Sequence, residues 1–123
     1  MTTKAAAIHT WINSFGVPAY PASAVPDDAE MPYLTYTPVD GAWDDPEQSM
    51  QVDLWYRGES EAEPNAKASE ISRSIGLGGA MIGSEAGAVW VRRGSPFCQS
   101  VPDEDRTIKR RLINLTIEFF TTY

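Results

Sequence analysis

Met50-Gln51-Val52-Asp53-Leu54-Trp55-Tyr56-Arg57 alternates apolar and polar side chains along its whole length. Successive side chains of an extended strand point to opposite faces, so Met50, Val52, Leu54 and Tyr56 share one face. Gln51, Asp53, Trp55 and Arg57 share the other. This is the pattern of a strand with one side in a core and one side open. Tyr33-Leu34-Thr35-Tyr36-Thr37 is aromatic and β-branched and predicts a second strand. Residues 38–47 between them are acidic and turn-rich, so the two strands are expected to pair as an antiparallel hairpin with a long tip. Trp43 in that tip and Trp55 on the polar face are then partly exposed, as large aromatics beside charges are at contact surfaces.

The C-terminal stretch reads two ways. Ile113, Leu115, Ile117 and Phe119 alternate with Asn114, Thr116, Glu118 and Phe120, as on a strand. Ile108, Leu112, Leu115 and Phe119 would also stack on a helix. Ile, Thr and Phe dominate, which favours a strand over residues 107–122.

Toward the N-terminus, Thr2 or Thr3 caps a helix expected to run to Phe15. Ile8, Trp11, Ile12 and Phe15 line its apolar face, and Gly16 and Pro18 end it. Residues 17–32 hold Pro18, Pro21, Pro26 and Pro32 and read as an irregular crossing. Beyond the hairpin, residues 58–63 form an acidic loop. Pro64 suits the first turn of a helix with Ala68, Ile71 and Ile75 on its inner face, stopped by Gly76. Residues 77–83 are a loop or a short strand, Glu85-Ala86-Gly87 a turn, residues 88–93 a strand, and residues 94–105 a loop holding Pro96 and Pro102. The expected fold class is α+β: an antiparallel sheet of four to five strands with two helices packed on one face.

At 123 residues the chain fits a single domain spanning 1–123. Four Trp, five Tyr and four Phe carry too much apolar surface for a disordered chain. One cysteine excludes an internal disulfide and a Cys-only zinc site. No targeting segment is visible, and no apolar run approaches the roughly 18 residues of a membrane helix, so no membrane partner is expected. The net charge of −7 opposes electrostatic binding to the outside of DNA or to an anionic membrane.

That charge is unevenly placed. Residues 27–63 sum to −10, residues 1–26 to +1 and residues 64–123 to +2. The last part carries a basic cluster, Arg106, Lys109, Arg110 and Arg111. A subunit with separate acidic and basic regions can pair head to tail with copies of itself, and such contacts close into a ring when the rotation permits.

Residue chemistry yields no catalytic, metal or cofactor site. Cys98 and His9 are the lone members of a conceivable nucleophile pair, but a single cysteine is usually a small buried hydrophobe. Asp103-Glu104-Asp105 and Asp44-Asp45 lack the spaced oxygens of a calcium loop. Gly76-Leu77-Gly78-Gly79-Ala80-Met81 begins like a dinucleotide loop, yet it has Met81 at the third glycine position and follows a helix instead of preceding one.

Several segments together resemble a known family. They are Trp11-Ile12-Asn13-Ser14-Phe15-Gly16-Val17-Pro18-Ala19-Tyr20, Met31-Pro32-Tyr33-Leu34-Thr35-Tyr36, and Gln51 to Arg57. To these are added the helix from Asn65 to Gly76, Arg93-Gly94-Ser95-Pro96-Phe97-Cys98-Gln99, and the basic-to-apolar run from Lys109 to Phe119. In this order they resemble the tail-terminator, or tail-completion, family of long-tailed bacteriophages. The resemblance implies a structural, ring-forming subunit of the virion neck, assembled in the host cytoplasm as a hexamer. Such a ring caps the tail tube protein, stops tube growth and offers a joining surface to the head-completion protein. DNA passes through its lumen without specific binding, and the family has no catalytic residues to transfer.

The residues themselves then supply the expected contacts. Trp43, Asp44, Asp45, Trp55, Arg57, Arg106, Lys109, Arg110 and Arg111 are candidates for subunit or ring contacts, with loops 38–47 and 58–63 reaching toward a neighbouring ring. Asp27, Asp28, Glu59, Glu61 and Glu63 are candidate lumen acids, where like charge keeps DNA from adhering. The alternatives are another neck or head-completion protein, a tail-tube subunit, or a small non-enzymatic binding module anchored by Trp43 and Trp55.

Overall fold

The alternating stretch forms the centre of the sheet. The computed structural model describes residues 3–39, 41–84 and 87–121. Helix α1 (Lys4–Ile12) is followed by strands β1 (Ala19–Pro21), β2 (Tyr33–Tyr36) and β3 (Gln48–Arg57), helix α2 (Ala62–Ile75), and strands β4 (Ala80–Gly83), β5 (Gly87–Val101) and β6 (Ile108–Thr121). The strands make one curled six-stranded sheet in the order β1-β2-β3-β6-β5-β4. The β2–β3 hairpin is antiparallel, with Tyr33 opposite Trp55 and Leu34 opposite Leu54. β6 lies against β3 along its whole length, from Gln48 opposite Ile117 to Arg57 opposite Ile108. The C-terminal stretch is therefore a strand, as its composition favours.

Both helices cover the same face. Met50, Val52 and Leu54 of β3 join Ile113, Leu115, Ile117 and Phe119 of β6 in one core with Ile8 and Ile12 of α1 and Ile71 and Ile75 of α2. Thr3 caps α1 by accepting the Ala6 N–H at 3.1 Å. The alternative cap Thr2, the acid Asp40 and the turn residues Glu85 and Ala86 lie outside the described residues. The α-helix ends at Ile12, and a 3₁₀ turn (Asn13–Phe15) carries the chain to Gly16, whose φ of +89° suits glycine. Lys67 of α2 donates to the Phe15 carbonyl at 2.8 Å, which ties the two helices together.

Three expectations require correction. The sheet has six strands, not four to five, because residues 19–21 of the proline-rich crossing form β1. β1 runs parallel to β2, so the sheet is mixed, not wholly antiparallel. Pro18 just before this short strand and Pro21 at its end are tolerated because β1 lies at the sheet edge, where one side needs no ladder donor. Third, residues 94–101 are strand, not loop. β5 continues to Val101, and Pro96 sits where the register shifts between Arg93 and Cys98. A bulge accommodates the missing N–H, and the long partner β6 then resumes the ladder, with Cys98 opposite Ile113.

Candidate functional site

The face of the sheet turned away from the helices carries two of the expected contact residues, Trp55 and Arg110, side by side. The register sets Tyr33, Trp55, Arg110 and Val101 directly opposite one another across β2, β3, β6 and β5. Tyr20 of β1 extends this row, with its ring centroid 5.9 Å from that of Tyr33, and Tyr33 lies 6.5 Å from Trp55. The Arg110 guanidinium stands 4.9 Å from the centre of the Trp55 ring, and its Nε donates to Asp53 at 3.1 Å. Trp55 Nε1 donates to Thr35 Oγ1 at 2.9 Å, which fixes the indole. The result is a half-buried ridge, Tyr20–Tyr33–Trp55, ending in a cation held over an indole.

A second such pair lies on the same face. Arg92 sits 4.1 Å over the Trp90 ring and bridges Glu47 at 2.7 Å and Glu118 at 3.4 Å. Trp90 Nε1 donates to Gly78 O at 2.8 Å. Gly79 has φ +86°, and a Cβ there would lie 2.6 Å from Trp90 Nε1, so this turn needs glycine.

The basic cluster divides between two faces and a loop. Arg110 belongs to the open face. Arg111 lies on the helix face, 5% exposed, where its guanidinium donates to Glu61, to Asn65 Oδ1 at 3.0 and 3.2 Å and to Ser100 Oγ at 3.2 Å. Lys109 donates to the Arg106 carbonyl at 2.6 Å and lies 3.8 Å from Glu61. Arg106 is exposed, and among the described residues no ion pair involves it. All four border a cleft of about 240 Å³ with Glu61 and Asp103. Arg57 closes the neighbouring loop through Asp105 at 3.3 Å and Thr107 at 3.2 Å. Asp105 is held below the usual carboxylate range, first by the Thr107 hydroxyl and N–H and then by Arg57.

Glu61, one of the candidate lumen acids, anchors Arg111 and stays about half exposed. Its carboxyl is held below the ordinary glutamate range, first by the Arg111 hydrogen bond, with partial desolvation opposing and the charges of Arg111 and Lys109 assisting. A carboxyl with a lowered folded value binds fewer protons when folded. The stability it lends is full above the unfolded value and disappears as pH falls through the lower folded one. Glu61→Gln is therefore expected to lower the urea midpoint at neutral pH and to flatten its decline in acid. Parallel acid profiles for the two proteins would refute this. The other candidate acids remain exposed: Asp27 and Asp28 in the loop leading to β2, Glu59 after β3, and Glu63 in the first turn of α2. Glu59 and Glu63 follow β3, at the sheet end where β2 begins, and Asp27 and Asp28 lie in the loop that leads there.

Trp43, Asp44 and Asp45 are at the opposite end. Trp43 meets Phe119 edge to face at 6.5 Å, with Lys4 Nζ 4.9 Å and 4.7 Å from the two ring centres. Asp44, at φ +64°, donates its N–H to Phe119 O at 2.6 Å, and its carboxylate accepts from the Thr121 N–H and hydroxyl at 3.0 and 3.1 Å. Asp45 accepts from the Ala42 N–H at 3.0 Å. This loop is folded back onto the end of β6. Deleting residues 40–47 would therefore strip a core contact and not spare the fold.

His9 and Cys98 are not joined as a pair by any hydrogen bond among the described residues. His9 Nδ1 meets the Tyr36 hydroxyl at 2.7 Å, and Cys98 lies opposite Ile113 with its thiol pushed up by burial. Sequence reasoning passed over Tyr20, Tyr33, Trp90 and Arg92 as contact residues. Tyr33 was within reach, since alternation puts it on the face opposite Leu34. Tyr20 was hidden by its prolines, and the two arginine–indole pairs depend on register. Compared with protein-family models and with curated proteins, the chain matches none.

Proposed function

We propose that this chain is a structural subunit that assembles with copies of itself, as a hexameric ring, to cap a phage tail tube and present a joining surface to the head. The observation that carries the reading is the open face of the sheet. Its aromatic ridge and two arginine–indole pairs are the residue types that anchor protein interfaces, and neither helix covers them. The charge pattern supports sideways contact: Arg106 has no ion pair among the described residues, while Asp27, Asp28, Glu59 and Glu63 stay exposed. In the ring the basic loop of one subunit meets acids of the next. The remaining acids border the lumen, where repulsion keeps passing DNA from adhering. The role is contact, without a catalytic residue, cofactor or metal.

Electron microscopy of the purified chain is expected to show single rings. Long tubes would identify a tube subunit, and single copies at every concentration would leave a binding module. Arg106→Glu should weaken ring formation about tenfold at low salt and less at high salt, because a rim charge acts through screened attraction. Unchanged assembly at low salt would remove Arg106 from the interface.

A further inference from the structure

The two edges of the sheet are protected very differently. At the β1 edge, Pro18 and Pro21 have no N–H, and the Ala19 N–H is taken by Asn13 Oδ1 at 3.0 Å. At the β4 edge there is no proline, lysine or bulge. Ser84 N–H donates to Gly87 O at 3.0 Å, so ladder alternation joins Ile82 and Ala80 to β5 and turns the N–H and C=O of Met81 and Gly83 outward. Met81 is 57% exposed, the nearby Leu77 is 98% exposed, and open space surrounds Gly83. An unguarded edge of this kind is a template for another strand.

We propose that β4 pairs antiparallel with β4 of a second copy, joining two sheets edge to edge. Charge selects this occupant. Residues 74–84 contain no ionisable side chain, so two chains of net charge −7 can meet here without setting like charges opposite each other. A two-fold axis at Ile82 lets Met81 and Gly83 of each copy exchange their N–H···O=C bonds and keeps the helix-covered faces on one side. The guarded β1 edge then limits edge-to-edge pairing to two sheets, where an open second edge would give a fibre. The pairing does not rest on the ring: it uses the backbone groups of the β4 edge, on the other side of the strand order from the Tyr20–Trp55 ridge, although Met81 stands opposite Trp90 of the second arginine–indole pair.

Sedimentation velocity of the full chain over a wide concentration range tests it. The wild-type protein is expected to double in mass, from one copy to two or from one six-membered ring to two, with the Met81 and Gly83 amides exchanging more slowly as concentration rises. Met81→Lys, at an exposed position, should keep its melting temperature and associate about tenfold or more weakly, because it brings two ammonium groups to the axis. A mass that never doubles, whether of single copies or of single rings, amide exchange independent of concentration, or unchanged association of Met81→Lys would overturn the proposal. Loss of rings with the doubled mass retained would count against the ring alone.

Discussion

Arg111→Ala is expected to cost about 3 kcal/mol of folding stability, read as a lower urea midpoint at pH 7. Arg111 stands on β6 opposite Leu54, among residues that are almost wholly buried. Its guanidinium reaches Glu61 and Asn65 on one side and Ser100 on the other, so it fastens the start of α2 to β5 and β6. At that start Ser60 Oγ accepts the Ala62 N–H at 3.0 Å, and the arginine adds the polar link that reaches the sheet. Removing the side chain leaves a void and takes this donor from three acceptors, Glu61, Asn65 and Ser100. Glu61 is about half exposed, so water reaches its carboxylate and keeps the cost below that of a fully enclosed pair. Arg111→Lys should recover only part of the loss, because an ammonium cannot fork between Glu61 and Asn65. Arg106→Glu should change stability by less than about 0.5 kcal/mol. If Arg111→Ala stayed within that margin as well, the anchoring role would be wrong. The contrast also bears on assembly: reversing Arg110 and Arg111 together would confound folding with ring formation, whereas Arg106 separates them.

Phe119→Ala should be the costliest single change, about 4 kcal/mol, from lost burial and the cavity left behind. Phe119 is 1% exposed and joins three parts of the chain. Its ring meets Trp43 and Lys4, and its carbonyl accepts from Asp44. The backbone bond survives the substitution but loses its packing. Amide exchange at Asp44 should therefore quicken more than exchange in the β2–β3 ladder. Phe119→Leu, which keeps most of the volume, should cost less than about 1.5 kcal/mol. Equal exchange at Asp44 in Phe119→Ala and wild type would show that the 41–47 loop holds without the ring.

Most of the fold is legible from periodicity. Residues 50–57 and 113–119 assign each side chain to a face, and the structure puts Met50, Val52, Leu54, Ile113, Leu115, Ile117 and Phe119 in the core. Pro64, Ala68, Ile71 and Ile75 likewise mark the buried side of α2. Prolines conceal the rest. Pro18 and Pro21 disguise β1, and Pro96 disguises the second half of β5, because local propensity counts a missing N–H without knowing whether a partner strand requires it. At an edge or in a bulge none does.

The candidate site was legible only in part. Trp55 and Arg110 are visible as exposed-face residues, but that one stacks on the other follows from β3–β6 register, which sets residues far apart in sequence side by side. Arg110 and Arg111 look alike as members of one basic run. A strand turns them to opposite faces, so the first is left on the open surface and the second is sealed beneath α2. Alternation along the chain thus determined which face each residue takes, since that depends only on the two-residue repeat of extended backbone. Which residues become neighbours, and therefore which charges are spent inside and which remain for a partner, was decided by strand pairing and by the packing of α2 over β6.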